Sequence, residues 1–181
     1  MKTHWKITIV CLQLLMVLGL LLGTQATVKA DQLNEGLAAY DAGNYQKAFK
    51  LFKPLAEQGD ADAQFGLGVM YQLGQGVRRD YTKAAKWLRK AAVQGNAEAQ
   101  YRLGGMYERG QGVPTNDTEA AKWFRKAAEQ GHYEAQYYLG EAYHYGFGVP
   151  LDYQEAEKWL RKAADQGHED AQVLLEIYVY D

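Results

Sequence analysis

Serine is absent from this 181-residue chain, and its one cysteine, Cys11, lies close to the N-terminus. Without Ser, and with no Cys beyond position 11, neither a Ser-His or Cys-His nucleophile nor an SxxK arrangement can be assembled in the body of the protein. Metal-ligand spacing is missing as well. There is no HxxxH, HExxH or CxxC, so neither a metal centre nor a cofactor is expected. Phosphate-loop patterns are also absent: the glycines of "GQGV" and "GFGV" never form GxGxxG or GxxxxGK[ST]. Finally there is no excess of basic charge. With 20 basic and 22 acidic residues and no basic tail, the chain gives no electrostatic reason to bind nucleic acid.

What is present first is an N-terminal apolar run. Lys2 and Lys6 precede Ile7 to Leu22, and small residues Val28 and Ala30 follow, the layout of a secretory signal cleaved after Ala30. The alternative is an uncleaved anchor, since the run is nearly long enough to span a bilayer. Cys11 sits inside the run rather than after it, which argues against lipidation. Cleavage removes Lys2, Lys6 and Lys29 together with the only thiol, leaving 151 residues that carry 17 basic and 22 acidic side chains. Such a protein is expected to be periplasmic or secreted, to hold no membrane insertion after cleavage, and to be a monomer whose fold rests on packing rather than disulfides.

The remainder repeats itself. Trp87, Trp123 and Trp159 are 36 residues apart, as are Tyr71, Tyr107 and Tyr143, and Gly95, Gly131 and Gly167, the mark of a solenoid array. Within one unit Ala84, Trp87, Leu88, Ala91 and Ala92 make the apolar stripe of a helix, here called B. Asn44, Asp80, Asn116 and Asp152 stand at its N-cap, and Glu119 and Glu155 complete a capping box in two copies. "QG" ends it, with Gly59, Gly95, Gly131 and Gly167 at the left-handed position. A second helix, A, starts at once behind caps such as Asp60 and Asn96. Its Gly68, Gly104 and Gly140 recur inside a helix, where glycine costs about 1 kcal/mol, so a neighbouring helix is expected to approach closely there.

The spacing of small residue, "LG", Tyr, "GxGV", acid, "KA", Trp, "KAA" and Gly in "AQFGLGVMYQLGQGVRRDYTKAAKWLRKAAVQG", repeated twice more, resembles the Sel-one-like repeat (SLR) family, a branch of the tetratricopeptide superfamily. The stretch "YDAGNYQKAFKLFKPLAEQG" is similar instead to an ordinary tetratricopeptide unit. The organisation expected is a signal at 1–30, a degenerate tetratricopeptide-like unit at 31–60, SLR units at 61–95, 96–131 and 132–167, and a capping helix at 168–181. The resemblance implies an all-α, right-handed solenoid of about four and a half antiparallel helix pairs. It implies a non-enzymatic scaffold that holds a protein or peptide partner. Two alternatives stand beside it: a membrane-tethered regulator that keeps its signal anchor, and the β-lactam binding or hydrolysis associated with cysteine-rich relatives, against which the missing Ser and Cys argue.

In tetratricopeptide-like solenoids the A helices line a concave groove. Transferred by register, that implication selects Phe65, Gln72, Tyr101, Glu108, Arg109, Tyr137, Glu141, His144 and Tyr145 as partner-binding, with Asp62, Val69, Leu73, Glu98, Gly105 and Glu134 at the same registers. These positions change between copies where the core does not, as does Arg102, which becomes Tyr138. Tyrosine offers apolar area with a polar tip, as recognition surfaces favour. His132 and His168 share a register with Asp60 and Asn96 and are expected as helix caps rather than metal ligands. Asn116 heads a glycosylation sequon but also sits in a cap register. Paired carboxylates, and the basic stripe Lys86, Arg89, Lys90 with its copies Lys122, Arg125, Lys126 and Lys158, Arg161, Lys162, read as solvated faces, an anionic partner being the other use of the stripe.

Overall fold

Helix ends fall where the caps are written. The structure, a computed structural model, describes residues 27–180, with side chains through Glu176. The signal run Ile7 to Leu22 therefore lies outside the described residues. Helix α1 covers 27–41 and is followed by α2 (Tyr45–Glu57), α3 (Ala61–Leu73), α4 (Tyr81–Val93), α5 (Ala97–Arg109), α6 (Asp117–Glu129), α7 (Tyr133–Tyr145), α8 (Tyr153–Asp165) and α9 (Glu169–Tyr180). Odd-numbered helices are A and even-numbered ones B. No strand occurs among the described residues. Each helix packs on the next, α3 on α4, α5 on α6 and α7 on α8 within pairs, with α4 on α5 and α6 on α7 between them. This makes an α-solenoid, in which an element's neighbours in space are its neighbours in sequence.

Asp60, Asp80, Asn96 and Asn116 each accept a hydrogen bond from the amide three residues on, at 2.8–3.0 Å. His132 and His168 do the same through Nδ1, at 3.3 Å from Ala135 N and Ala171 N. The capping boxes are a correction to the sequence reading. Asn116 N and Asp152 N donate instead to Tyr107 O and Tyr143 O, which closes the preceding loop. Glu119 and Glu155 are thereby released and pair with Lys122 and Lys158.

Packing explains the helical glycines. A Cβ on Gly68 would stand 2.6 Å from Leu88, one on Gly104 2.7 Å from Phe124, and one on Gly140 2.7 Å from Leu160. Leu88 and Leu160 are fully buried and Phe124 is nearly so, each sealing a core that Leu67, Leu103 and Leu139 fill from the A side. Burial of each such side chain contributes about 1.5–3 kcal/mol. The second glycine of each "GxGV" loop does a different job. Gly112 has φ +72°, and a Cβ there would stand 2.2 Å from the Tyr81 carbonyl; Gly148 meets Asp117 O in the same way at 2.1 Å. Each loop thus rests on the start of the preceding repeat's B helix, where no side chain fits.

A ladder of glutamines locks successive repeats together. Gln64, Gln100 and Gln136, each 4% exposed, donate through Nε2 to Ala56 O, Ala92 O and Ala128 O at 3.0, 2.9 and 3.1 Å. Each also accepts from the C-cap glutamine of the following B helix, Gln94, Gln130 or Gln166, at 2.7–2.8 Å. One side chain thus joins three helices and gives a second hydrogen bond to a helix-end carbonyl that already accepts from the amide of the glycine three residues on.

Candidate partner-binding groove

The A helices present a row of depressions that run into one another. The first, about 500 Å3, is lined by Leu37, Tyr40, Phe52, Phe65, Val69 and Arg102 among others. Arg102 also borders the second, about 90 Å3, with Gln72, Tyr101, Arg109, Phe124 and Tyr138. Phe124 and Tyr138 lead into the third, about 240 Å3, which holds Glu108, Asp117, Glu141, Tyr145 and Phe147. Glu141 and Tyr145 continue into the fourth, about 200 Å3, beside Tyr137, Asp170 and Val173. Shared walls make these one groove crossing the repeats.

Of the nine residues selected by register, Phe65, Gln72, Tyr101, Glu108, Arg109, Tyr137, Glu141 and Tyr145 line this groove. His144 does not line these depressions. Its ring packs across Tyr145 at 4.3 Å and beside Tyr153 of α8 at 5.5 Å. Val69 and Gly105 are buried and form floor rather than contact surface. Register alone missed Phe124, Phe147, Leu37 and Tyr40. Phe124 occupies a core register, yet Gly104 beside it leaves the ring edge open to the groove. Its variation from Leu88 and Leu160 was the available signal.

Aromatic rings build the centre of the groove. Phe124 and Tyr138 stack at 5.2 Å, with Tyr101 5.9 Å from Tyr138 and 4.6 Å from His132. The histidines have a structural role. His132 packs at a tilt against Tyr101 and places Nε2 2.9 Å from Glu98 of the previous repeat, and His168 stacks on Tyr137 at 4.3 Å with Nε2 3.2 Å from Glu134. Since Nδ1 accepts a backbone N–H in both, Nε2 carries the proton toward the carboxylate. The hydrogen bond from His132, with Arg102 beside it, holds the Glu98 carboxyl below its ordinary range. Burial pushes Tyr101, Tyr137 and Tyr138 up, so all three phenols stay neutral at physiological pH.

Charge along the groove changes sign between repeats. Beside α5 it carries Arg102, whose Nε stands 2.8 Å from Glu98 Oε1 as an ion pair without the alignment of a hydrogen bond. Arg109 is there too, 3.1 Å from Glu108. One repeat on it carries Glu108, Asp117 and Glu141. Glu108 and Glu141 are both pushed up, chiefly by partial burial and in part by neighbouring carboxylates.

The basic stripe on the B helices is largely engaged within the fold. Arg89 and Arg125 bond the hydroxyls of Tyr107 and Tyr143 on the following A helix. Lys90, Lys126 and Lys162 lie over Trp87, Trp123 and Trp159 at 4.1–4.6 Å. Asn116 spends its side-chain oxygen on capping α6. Among the described residues there is no group of His, Cys, Asp and Glu arranged to hold a metal, and no helix long and apolar enough to cross a membrane.

These features have counterparts in known proteins. A protective antigen present in uropathogenic Escherichia coli strains, displaying an SLR fold, is 43% identical over 77% of this chain, with a TM-score of 0.73. A Sel1 repeat protein from Oxalobacter formigenes is 39% identical over 78%, with a TM-score of 0.74. This chain spans 31% of the first and 56% of the second. The cysteine-rich protein B of Helicobacter pylori, 24% identical over 72% of this chain and 94% of its own, shares the fold at a TM-score of 0.57. No curated protein matches the chain. The Sel1 repeat model matches residues 33–60, 61–96, 97–132 and 134–168, so it includes the first helix pair, whose sequence reads as an ordinary tetratricopeptide unit. With four matched repeats, buried glutamines joining successive ones and glycine loops seated on the unit before, the chain belongs to the Sel1 repeat family, whose members are commonly protein-interaction scaffolds.

Proposed function

We propose that this protein is an exported, non-enzymatic scaffold that holds a protein or peptide partner in the A-helix groove. The observation that carries the reading is the continuity of the groove across repeats, together with its content. Its walls are aromatic and half-exposed, and they change from copy to copy while the helices that present them do not. Large aromatic side chains beside a few charges suit a recognition surface, where a handful of anchors supplies most of the affinity. Export rests on the N-terminal run. Residues 27–30 are exposed, so cleavage after Ala30 removes no buried residue among those described, and Gln32 keeps its 2.9 Å bond to Leu51 O. The relative described as a protective antigen is in keeping with an exported role.

The test uses groove residues that the fold does not need. Tyr101 and Tyr137 support His132 and His168 between repeats, so their truncation also loosens packing. Tyr145 and Phe147 are 51% and 56% exposed. Replacing both with Ala should leave the circular dichroism spectrum and thermal midpoint intact while removing the partner captured by wild type from the native envelope fraction. Equal capture of that partner by the folded double variant would overturn the groove. Replacing Lys86, Lys122 and Lys158 on the B helices should leave capture unchanged. N-terminal sequencing of the exported protein should begin at Asp31, whereas a start at Met1 would establish the retained anchor.

A further inference from the structure

We infer that the groove reads an extended peptide in one direction, seating a Lys or Arg side chain in the acidic aromatic depression between α5 and α7 and an acidic side chain beside Arg102 and Arg109 one repeat earlier. This rests on the groove being the partner site and specifies what it takes.

The acidic depression has the shape and the chemistry for a long cation. Its volume, about 240 Å3, is walled by Phe124, Tyr138, Tyr145 and Phe147. Glu108 comes from α5, Glu141 from α7 and Asp117 from the first turn of α6, so the three carboxylates converge from three helices. No Lys or Arg lines it. Arg109 reaches Glu108 only from the neighbouring depression, and Glu141 is met by the Tyr137 hydroxyl with His144 and His168 further off. Glu108 and Glu141 bear the cost of partial burial, and Glu108 that of Glu141 and Asp117 nearby, so both gain from a cation brought among them, and aromatic faces bind that cation's charge and its methylene stem.

The repeat gives an internal comparison. By the 36-residue register, Glu108 corresponds to Gln72, Glu141 to Gly105, Tyr138 to Arg102, Tyr145 to Arg109 and Asp117 to Tyr81. Four of these counterparts, Gln72, Arg102, Gly105 and Arg109, line the adjoining hollow, which has two arginines, each with a glutamate beside it in Glu98 or Glu108, and no acid in its own lining. Opposite charge at equivalent places is charge complementarity laid out as an ordered pair. Neighbouring helices sit roughly 10 Å apart, and an extended chain advances about 3.3 Å per residue. The acidic and basic residues of the ligand thus fall about three positions apart, in a fixed order that rejects the reversed sequence by placing like charges together.

Selection of a phage-displayed library of random 12-residue peptides on the full chain tests this. Enriched peptides should share a Lys or Arg with an Asp or Glu about three residues to one constant side. A synthetic peptide of that set should bind the folded Glu108→Gln, Glu141→Gln double variant about tenfold more weakly, the scale of losing a close charge pair. Glu141→Lys should recover binding when the peptide's basic residue is changed to Glu. Enriched peptides without a basic residue, or affinity unchanged in the double variant, would overturn the charge reading alone, provided Tyr145→Ala with Phe147→Ala still abolishes binding. Peptides that bind that aromatic variant as well as wild type overturn the groove itself, and a library with no enriched sequence overturns both.

Discussion

Gln100 and Arg102 stand two residues apart on α5 and follow opposite rules. Gln100 is buried, bonds Ala92 O and Gln130, and has an identical counterpart one repeat before and after, in Gln64 and Gln136. Arg102 faces the groove, and its counterparts are Gly66 and Tyr138. The difference lies in what each side chain must satisfy. Gln100 closes two hydrogen bonds that tie its helix to the B helices before and after it, so every repeat uses the same residue. Arg102 satisfies a partly exposed ion pair with Glu98 and lies over the Phe65 ring at 5.9 Å, contacts worth little to the fold, so the position is available for recognition.

That contrast is best broken first on the shared side. Gly112→Ala puts a Cβ into the Tyr81 carbonyl at a positive φ, and should cost roughly 2–4 kcal/mol from overpacking and backbone strain, measured by urea unfolding. An unchanged midpoint would mean that the loop does not hold the preceding repeat. Next comes the direct comparison. Gln100→Leu should cost about 1–3 kcal/mol by removing two hydrogen bonds of a buried side chain, while Arg102→Leu should stay within about 1 kcal/mol. Equal losses would erase the distinction between the two faces.

Smaller effects sharpen the same contrast through pH, and they carry opposite signs. Glu98 has a depressed folded pKa because His132 donates to it, so its contribution is present above the ordinary glutamate range and is lost as pH falls through the folded value. Glu98→Gln should accordingly destabilise by under about 1 kcal/mol near neutrality, since the group is well exposed, and the gap from wild type should close in acid. Glu108 and Glu141 are raised, so ionising them costs the folded state increasingly as pH rises through and beyond the ordinary range. Their double Gln replacement should stabilise by about 0.5 kcal/mol or less near neutrality, with the gain gone in acid. Thermal melts at both pH values decide each case, and a loss of stability in the double Gln variant at neutral pH would contradict the cost of partly burying those two charged carboxylates.

The repeating part of the fold was legible because its causes are local. Asp80, Gly95 and the Ala84–Leu88–Ala91 stripe specify a helix and its ends within a dozen residues, and Gly104 announced the close approach of Phe124 by being glycine where a helix resists it. The capping box failed for a reason that no local pattern contains: the Asn116 amide is claimed by Tyr107 O across the loop. The glutamine ladder was written just as plainly, as a polar residue returning every 36 positions on a helix, yet its bonds join residues 8 and 30 apart. The groove was partly legible. Register placed Tyr101, Glu108 and Glu141, but Phe124 reads as core, and His144 reads as surface although it turns to Tyr153.

The sequence by itself determined the helices, the repeat length and which positions are free to vary, since periodicity, caps and glycines act over a single turn or a single unit. Only the tertiary structure decided that Arg102 and Arg109 face one hollow while Glu108, Asp117 and Glu141 face the next. A hollow between repeats is walled by three helices at once, and the sign of its charge is a property of their packing that no one helix records.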